Sequence, residues 1–291
     1  MAVSRRTRAE PSPWRAWLGQ RLGARPAKPG ESYGTPGQGA SVAISLATMA
    51  TLLCLWWFIT AQGWIKPLFL PSPEAVMAQF VEVATLGFGG STLLEHTLWS
   101  LYRVFGAFLL ACVTAIPIGI AMGVNRIARG LFDPPIEFYR PIPPLAYLPL
   151  IIIWFGIGEL GKVVLIYLAV FAPMALNARA GVRSVSIEQI HAAYSLGASR
   201  LQVVRHVILP AALPEILTGM RIGIGFGWTT LVAAEMVAAR AGLGFMVLNA
   251  AEFLRSDVVI MGIVVIGALA YLFDLLMRRI EATFVPWKGR A

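Results

Sequence analysis

Charge is what this 291-residue chain has least of. Asp, Glu, Lys and Arg make up 13% of it, against roughly 25% in an average soluble domain. With 57% hydrophobic residues and a mean hydropathy of +0.71, it has too little polar surface to cover itself in water. Lipid must be the solvent for much of it. Cysteine is nearly absent. Cys54 and Cys112 both lie inside apolar runs, which excludes a disulfide framework and reads as two small buried hydrophobes. The three histidines are His96, His191 and His206. None is four residues from another and no H-E-x-x-H occurs, so no metal site is expected. No nucleophile–base set is apparent, so no catalytic residue is expected either. No internal repeat of the kind common in secondary carriers is present.

One apparent nucleotide motif also fails. Gly156-Ile-Gly-Glu-Leu-Gly-Lys162 fits both G-x-G-x-x-G and most of G-x-x-x-x-G-K. A P-loop needs Ser or Thr after the lysine, and Val163 follows. Both motifs belong between a strand and a helix, whereas this segment lies between two apolar runs and reads as a tight turn. Any use of ATP and magnesium therefore falls to a partner subunit, and the chain is expected to hold no cofactor and to be no enzyme.

What the chain does contain is long apolar runs. A spanning helix needs about 20 mostly apolar residues. Runs near 42–62, 101–123, 142–157, 162–178, 215–239 and 257–277 meet or approach this, the third being short and broken by Pro141, Pro143, Pro144 and Pro149. Between the first two, Pro67, Pro71 and Pro73 predict an extended stretch leading into a short interfacial helix. The Arg-, Pro- and Gly-rich residues 1–41 lack an apolar core and read as a disordered cytoplasmic tail rather than a signal peptide. With the N-terminus inside, 19 of the 24 Lys and Arg residues fall on the cytoplasmic side and five outside. That bias supports six spans with both ends in the cytoplasm. The net charge of +9 is thus a topology signal, and nucleic acid is not expected as a partner. The predicted organisation is a tail (1–41), a first span with an outer interfacial segment (42–98), a transmembrane domain (99–278) holding a cytoplasmic loop (182–213), and a short cytoplasmic tail (279–291).

Few ionisable residues fall within the spans. Glu235 stands near the outer end of the fifth, Asp274 near the inner end of the sixth beside Arg278, and Glu159 in the outer turn. Gly219, Gly223 and Gly227 recur every fourth residue and form a ridge for close helix packing, either within the chain or against a second copy. Gly119 and Gly123 repeat the spacing.

The loop between the fourth and fifth spans is the informative segment. Ser184 or Ser186 caps a first helix, Gly197 supplies a turn, and Ser199 caps a second helix that is expected to end before Pro210. Leu201, Val204 and Ile208 form the apolar face of that second helix. Two short amphipathic helices meeting at a glycine make a knob suited either to a groove on a soluble partner or to the lipid surface.

This loop resembles the E-A-A-x3-G-x9-I-x-L-P signature of binding-protein-dependent ABC importer permeases. Ala192, Ala193, Gly197, Leu209 and Pro210 match it, while His191 stands at the Glu position and Val207 at the Ile position. The stretches 139–159, 195–223 and 227–254 are similar to the nitrate/sulfonate/taurine branch, nearest to its taurine-transporting members. The resemblance covers about residues 45–287. It implies an all-α integral membrane fold of the type I importer permease class, with six transmembrane helices and cytoplasmic coupling helices. It also implies a bacterial inner membrane location, a second copy of the permease, two ATP-binding subunits docked at the loop, and an extracytoplasmic solute-binding protein. The cargo would be taurine or a related sulfonate. Nitrate or another small anion is the near alternative, and a secondary carrier is the alternative of a different class. Pro143, Pro144, Trp154, Trp228 and Glu235 are the expected pathway residues, by position.

Overall fold

The computed structural model of the protein describes residues 42–286. The predicted N-terminal tail lies outside this range. The described part falls into two units divided after Trp64.

The first unit is one helix, α1 (Val42–Ala61). Its 20 residues reach about 30 Å, the thickness of the hydrocarbon core. Its threonine hydroxyls are satisfied internally: Thr48, Thr51 and Thr60 donate to the carbonyls of Ile44, Ala47 and Trp56. Lipid supplies no such partners, so a spanning helix must provide its own.

The second unit begins with α2 (Pro73–Thr85), capped by Ser72. Then come α3 (Leu93–Val124), α4 (Arg126–Tyr139), α5 (Pro144–Phe155) and α6 (Glu159–Arg183). The loop helices α7 (Ile187–Ser195) and α8 (Arg200–Val203) follow, then a π-turn (Val204–Ile208) and α9 (Leu209–Ala238). The unit closes with α10 (Leu243–Glu252) and α11 (Ser256–Phe284). Among the described residues, five helical runs are long and apolar enough to cross a membrane: α1, α3, α6, α8 through α9, and α11.

A sixth span exists only as a broken one. The α4–α5 pair bends by 107°, and α5 alone, at 12 residues, reaches only about 18 Å. The third span at 142–157, expected to be short and broken, is the short helix α5, joined across this bend to the amphipathic α4. Pro141, Pro143 and Pro144 offer no amide to bridge the bend. The second span also starts earlier than its apolar run. A capping box between Thr92 and Glu95 opens α3 at Leu93, which brings the predicted interfacial segment's end into the helix. At the other end, α11 runs on to Phe284, into the predicted C-terminal tail.

The core centres on α6, whose Leu165, Ile166, Val170, Met174, Ala175 and Ala178 are buried. α3 and α9 close on it through glycines. A Cβ on Gly119 would lie 2.4 Å from the Ala175 carbonyl oxygen, and one on Gly219 2.5 Å from Asn177 Cβ. Gly223 and Gly227 face Val170 in the same way. The ridge on α9 thus meets a helix of its own chain.

Candidate functional site

The loop folds into a knob fixed at each joint by hydrogen bonds. Ser186 caps α7 by accepting from Gln189 N (3.3 Å). The Glu188 carboxyl sits below the usual carboxylate range because its own backbone amide and the Ser186 hydroxyl hydrogen-bond its charged form. α7 ends in a Schellman motif, in which Gly197 N donates to Tyr194 O (2.9 Å) and Ala198 N to Ala193 O (3.1 Å). Gly197 sits at φ +82°, where a side chain is strained. Ser199 and Gln202 then form a capping box that opens α8.

The second helix does not end before Pro210. Pro210 cannot donate to a carbonyl four residues back, and its ring would strike that carbonyl. The chain widens instead: Leu209 N bonds Val204 O, five residues back, and the helix continues. Arg200 to Val237 is one helical run of 38 residues. The buried face is also corrected. Val203 and Ile208 pack with Val182, Ala212 and Ile216, while Leu201 faces outward. The exposed side of the knob carries Ile187, His191, Ala192, Tyr194, Leu196 and Leu201, whereas Ala193 packs inward. Leu209 and Pro210 are exposed at the π-turn.

Beside the α4–α5 bend lies a cavity of about 550 Å³ lined by residues that include Tyr139, Arg140, Pro143, Pro144, Tyr147 and Asn177. Of the predicted pathway residues, Pro143 and Pro144 line it. The other three do not. Trp154 projects outward from α5 and is exposed. Trp228 is buried in the core between α3 and α6, with its indole N–H unpartnered. Glu235 is fully enclosed. A residue that contacts a passing solute must be wetted, and neither Trp228 nor Glu235 is. At the lip of the cavity, Arg179 pairs with Asp133 and with Glu137 (3.2 Å), holding α6 to α4.

At the opposite end of α9 is a polar cluster that sequence reasoning missed. Arg103, 1% exposed, donates from Nη1 to Glu235 Oε1 (2.7 Å) and to Ala241 O (2.7 Å). Its Nε and Nη2 grip both oxygens of Glu159 at 2.6 and 2.9 Å. Lys162 Nζ completes the set, 2.8 Å from Glu159. Two cations balance two carboxylates. Ser100 Oγ donates to Glu235 and accepts from Leu243 N (2.9 Å), and Gly244 N donates to Glu235 Oε2 (2.8 Å). His96 Nδ1 accepts from Gly242 N (3.0 Å), so its Nε2 is the donor to Phe88 O (2.9 Å). His96, Ser100 and Arg103 form an i, i+4, i+7 stripe along α3, a pattern legible in the sequence once the helix is known to start at Leu93. Arg221, inside the long helical run, pairs with Asp274 (3.1 Å) and Glu281 (3.1 Å). Asp274 also holds Arg278 at 2.7 Å. Among the described residues no group of His, Cys, Asp or Glu is arranged to hold a metal.

Comparison with known proteins places this architecture. The family described as "Binding-protein-dependent transport system inner membrane component" matches residues 115–285. The taurine transport system permease protein TauC of Escherichia coli (strain K12) is 54% identical over 85% of this chain and 90% of that protein. The putative aliphatic sulfonates transport permease protein SsuC of the same organism is 34% identical over 81% of this chain and 88% of its own. Among solved structures, an inward-facing MetNI methionine ABC transporter aligns with a TM-score of 0.58 at 22% identity, over 66% of this chain and 95% of that one. That likeness is one of fold. The helices, the knob and the match over more than half the length lead to one conclusion: the chain belongs to the inner membrane components of binding-protein-dependent transport systems, and is a multi-pass permease of that membrane.

Proposed function

We propose that this permease carries taurine or a related sulfonate, handed to it by an extracytoplasmic binding protein and driven by ATP hydrolysis in separate subunits. The observation that carries the cargo assignment is the 54% identity to a taurine permease along 85% of the chain. The 34% identity to an aliphatic-sulfonate permease supports a sulfonate cargo and ranks aliphatic sulfonates below taurine.

Two ATPase subunits, with their ATP and magnesium, would dock on the knob. His191, Ala192, Ala193, Gly197, Leu209 and Pro210 would form or hold its contact surface. The exposed apolar side chains of Ile187, Tyr194 and Leu196 support that role, since they cover no core of their own. A second copy of the permease would close the cavity at the α4–α5 bend. The polar groups within its mostly apolar lining, Arg140, Asn177 and Arg179, support this, because such groups are not left facing lipid. Both termini are assigned to the cytoplasm from the positive-inside bias.

The test is uptake by the purified permease reconstituted in proteoliposomes with its ATPase and binding protein. ATP-dependent accumulation of labelled taurine, outcompeted by other sulfonates better than by nitrate or bicarbonate, is the expected result. Transport of nitrate or bicarbonate with no taurine uptake would overturn the cargo assignment. Uptake that persists without the ATPase would overturn the importer reading.

A further inference from the structure

We infer that Arg140, at the bend between α4 and α5, is a transient contact for the sulfonate group as cargo passes the cavity. This rests on the sulfonate reading above.

The first observation is a charge surplus. Three guanidiniums, those of Arg129, Arg140 and Arg179, share two carboxylates, Asp133 and Glu137. Arg179 is largely buried and holds both carboxylates. Arg129 reaches Asp133 at 3.6 Å along its own helix. Arg140 has a single, long contact of 3.5 Å to Glu137, with the two side chains 58% and 46% exposed. Arg129 and Arg140 are thus the two loosely held cations of the cluster, and of these only Arg140 lines the cavity.

The second observation is where that cation stands. Arg140 lines the 550 Å³ cavity together with Tyr139, Tyr147 and Asn177. That volume lies within the ~300–1,000 Å³ of small-molecule sites. A guanidinium presents a planar fork that matches two oxygens of a tetrahedral oxyanion. The N-terminus of α5 opens onto the same space through Pro143 and Pro144 and adds the positive end of a helix dipole.

The third point is release. A transport site must bind well enough to admit its solute and weakly enough to let it go. Glu137 supplies the competitor. It gives up Arg140 at little cost, because Arg179 still neutralises it, and it reclaims Arg140 when the anion moves on. A site with two fixed arginines would hold the anion; one loosely tethered arginine passes it along.

The same oxyanion chemistry is offered by a phospholipid headgroup, so the experiment separates the two. Wild type, Arg140→Gln and Arg140→Lys are reconstituted with ATPase and binding protein in vesicles of phosphatidylcholine alone and in vesicles containing phosphatidylglycerol. Taurine taken up per ATP hydrolysed should fall at least tenfold in Arg140→Gln in both lipids. Arg140→Lys should recover a third or more, which shows that the loss is one of charge and not of folding. Uptake per ATP within twofold of wild type in Arg140→Gln overturns the inference. So does a defect confined to phosphatidylglycerol vesicles, since the arginine then serves a headgroup. If wild type carries another oxyanion instead of taurine, the cargo assignment fails while the same tenfold loss, read with that anion, still upholds Arg140. If wild type carries no anion, both fall.

Discussion

Arg103 and Glu235 lie 132 positions apart in sequence and 2.7 Å apart in space, with neither side chain meaningfully exposed. The pair joins α3 to the end of α9, and Ser100 and the amide of Gly244 occupy the remaining acceptor sites of the carboxylate. Enclosed ion pairs gain little over apolar packing, but breaking one strands a charge, typically at ~3–5 kcal/mol.

Removing only the acid should therefore be costly. Glu235→Ala is expected to destabilise the purified permease by about 3 kcal/mol, tempered by the hold that Glu159 keeps on Arg103. Thermal unfolding in detergent reads this. The double variant Arg103→Met, Glu235→Leu should cost less than the sum of the single changes by more than ~1 kcal/mol, the mark of direct coupling. Additive losses would mean that the two residues stabilise separate parts.

The knob allows folding and docking to be separated. Leu196 is 89% exposed, so Leu196→Asp should leave the amount and thermal stability of the permease unchanged. It should abolish co-purification of the ATPase and with it uptake. Ala193→Asp, at a half-buried position that packs against the knob's own core, should lose stability as well as docking. A Leu196→Asp permease that still retains its ATPase would exclude this face as the contact.

Helix packing around α6 predicts a contrast between glycines. Gly119→Ala forces a Cβ to 2.4 Å from the backbone of Ala175 and should destabilise by ~1–3 kcal/mol. Gly267→Ala on α11 meets nothing within 4 Å and should be neutral or slightly stabilising. The difference between their unfolding midpoints is the measurement.

The π-turn predicts an effect on coupling rather than on stability. Pro210→Ala restores the missing amide and lets the turn relax to α-helical spacing, which rotates the knob relative to α9 by about one residue's 100°. Protein yield and unfolding temperature should hold, while uptake per ATP hydrolysed falls severalfold. Unchanged coupling would show that the orientation of the knob is set elsewhere.

Features made by neighbours in the chain were legible in the sequence. The caps at Ser186 and Ser199, the turn at Gly197 and the glycine ridge on α9 are local patterns, and each forms at its expected place. The start of α3 was not, because His96, Ser100 and Arg103 dilute the hydropathy of its first three turns. The Thr92–Glu95 capping box sets that start, and Glu235, Gly242 and Leu243 then give His96, Ser100 and Arg103 their partners. For the same reason Glu235 read as a pathway acid: sequence exposes a carboxylate within a span but not the guanidinium that answers it. Pro210 misled in the opposite direction. Its rule for ending a helix is sound for a regular α-turn, and the chain avoids the conflict by adding a residue to the turn.

The unbroken run from Arg200 to Val237 has a mechanical meaning. At 38 residues it is about 57 Å long, nearly twice the ~30 Å of a bilayer's hydrocarbon. With one end buried in the bilayer it would act as a lever arm, its excess length standing outside the hydrocarbon. A 5° tilt about its midpoint would carry each end through about 2–3 Å, and at the far end Glu235 would draw Arg103 and α3 along with it. Movement of the knob would then emerge as a concerted shift of helices at the far end of the run, transmitted through the π-turn at Val204–Ile208.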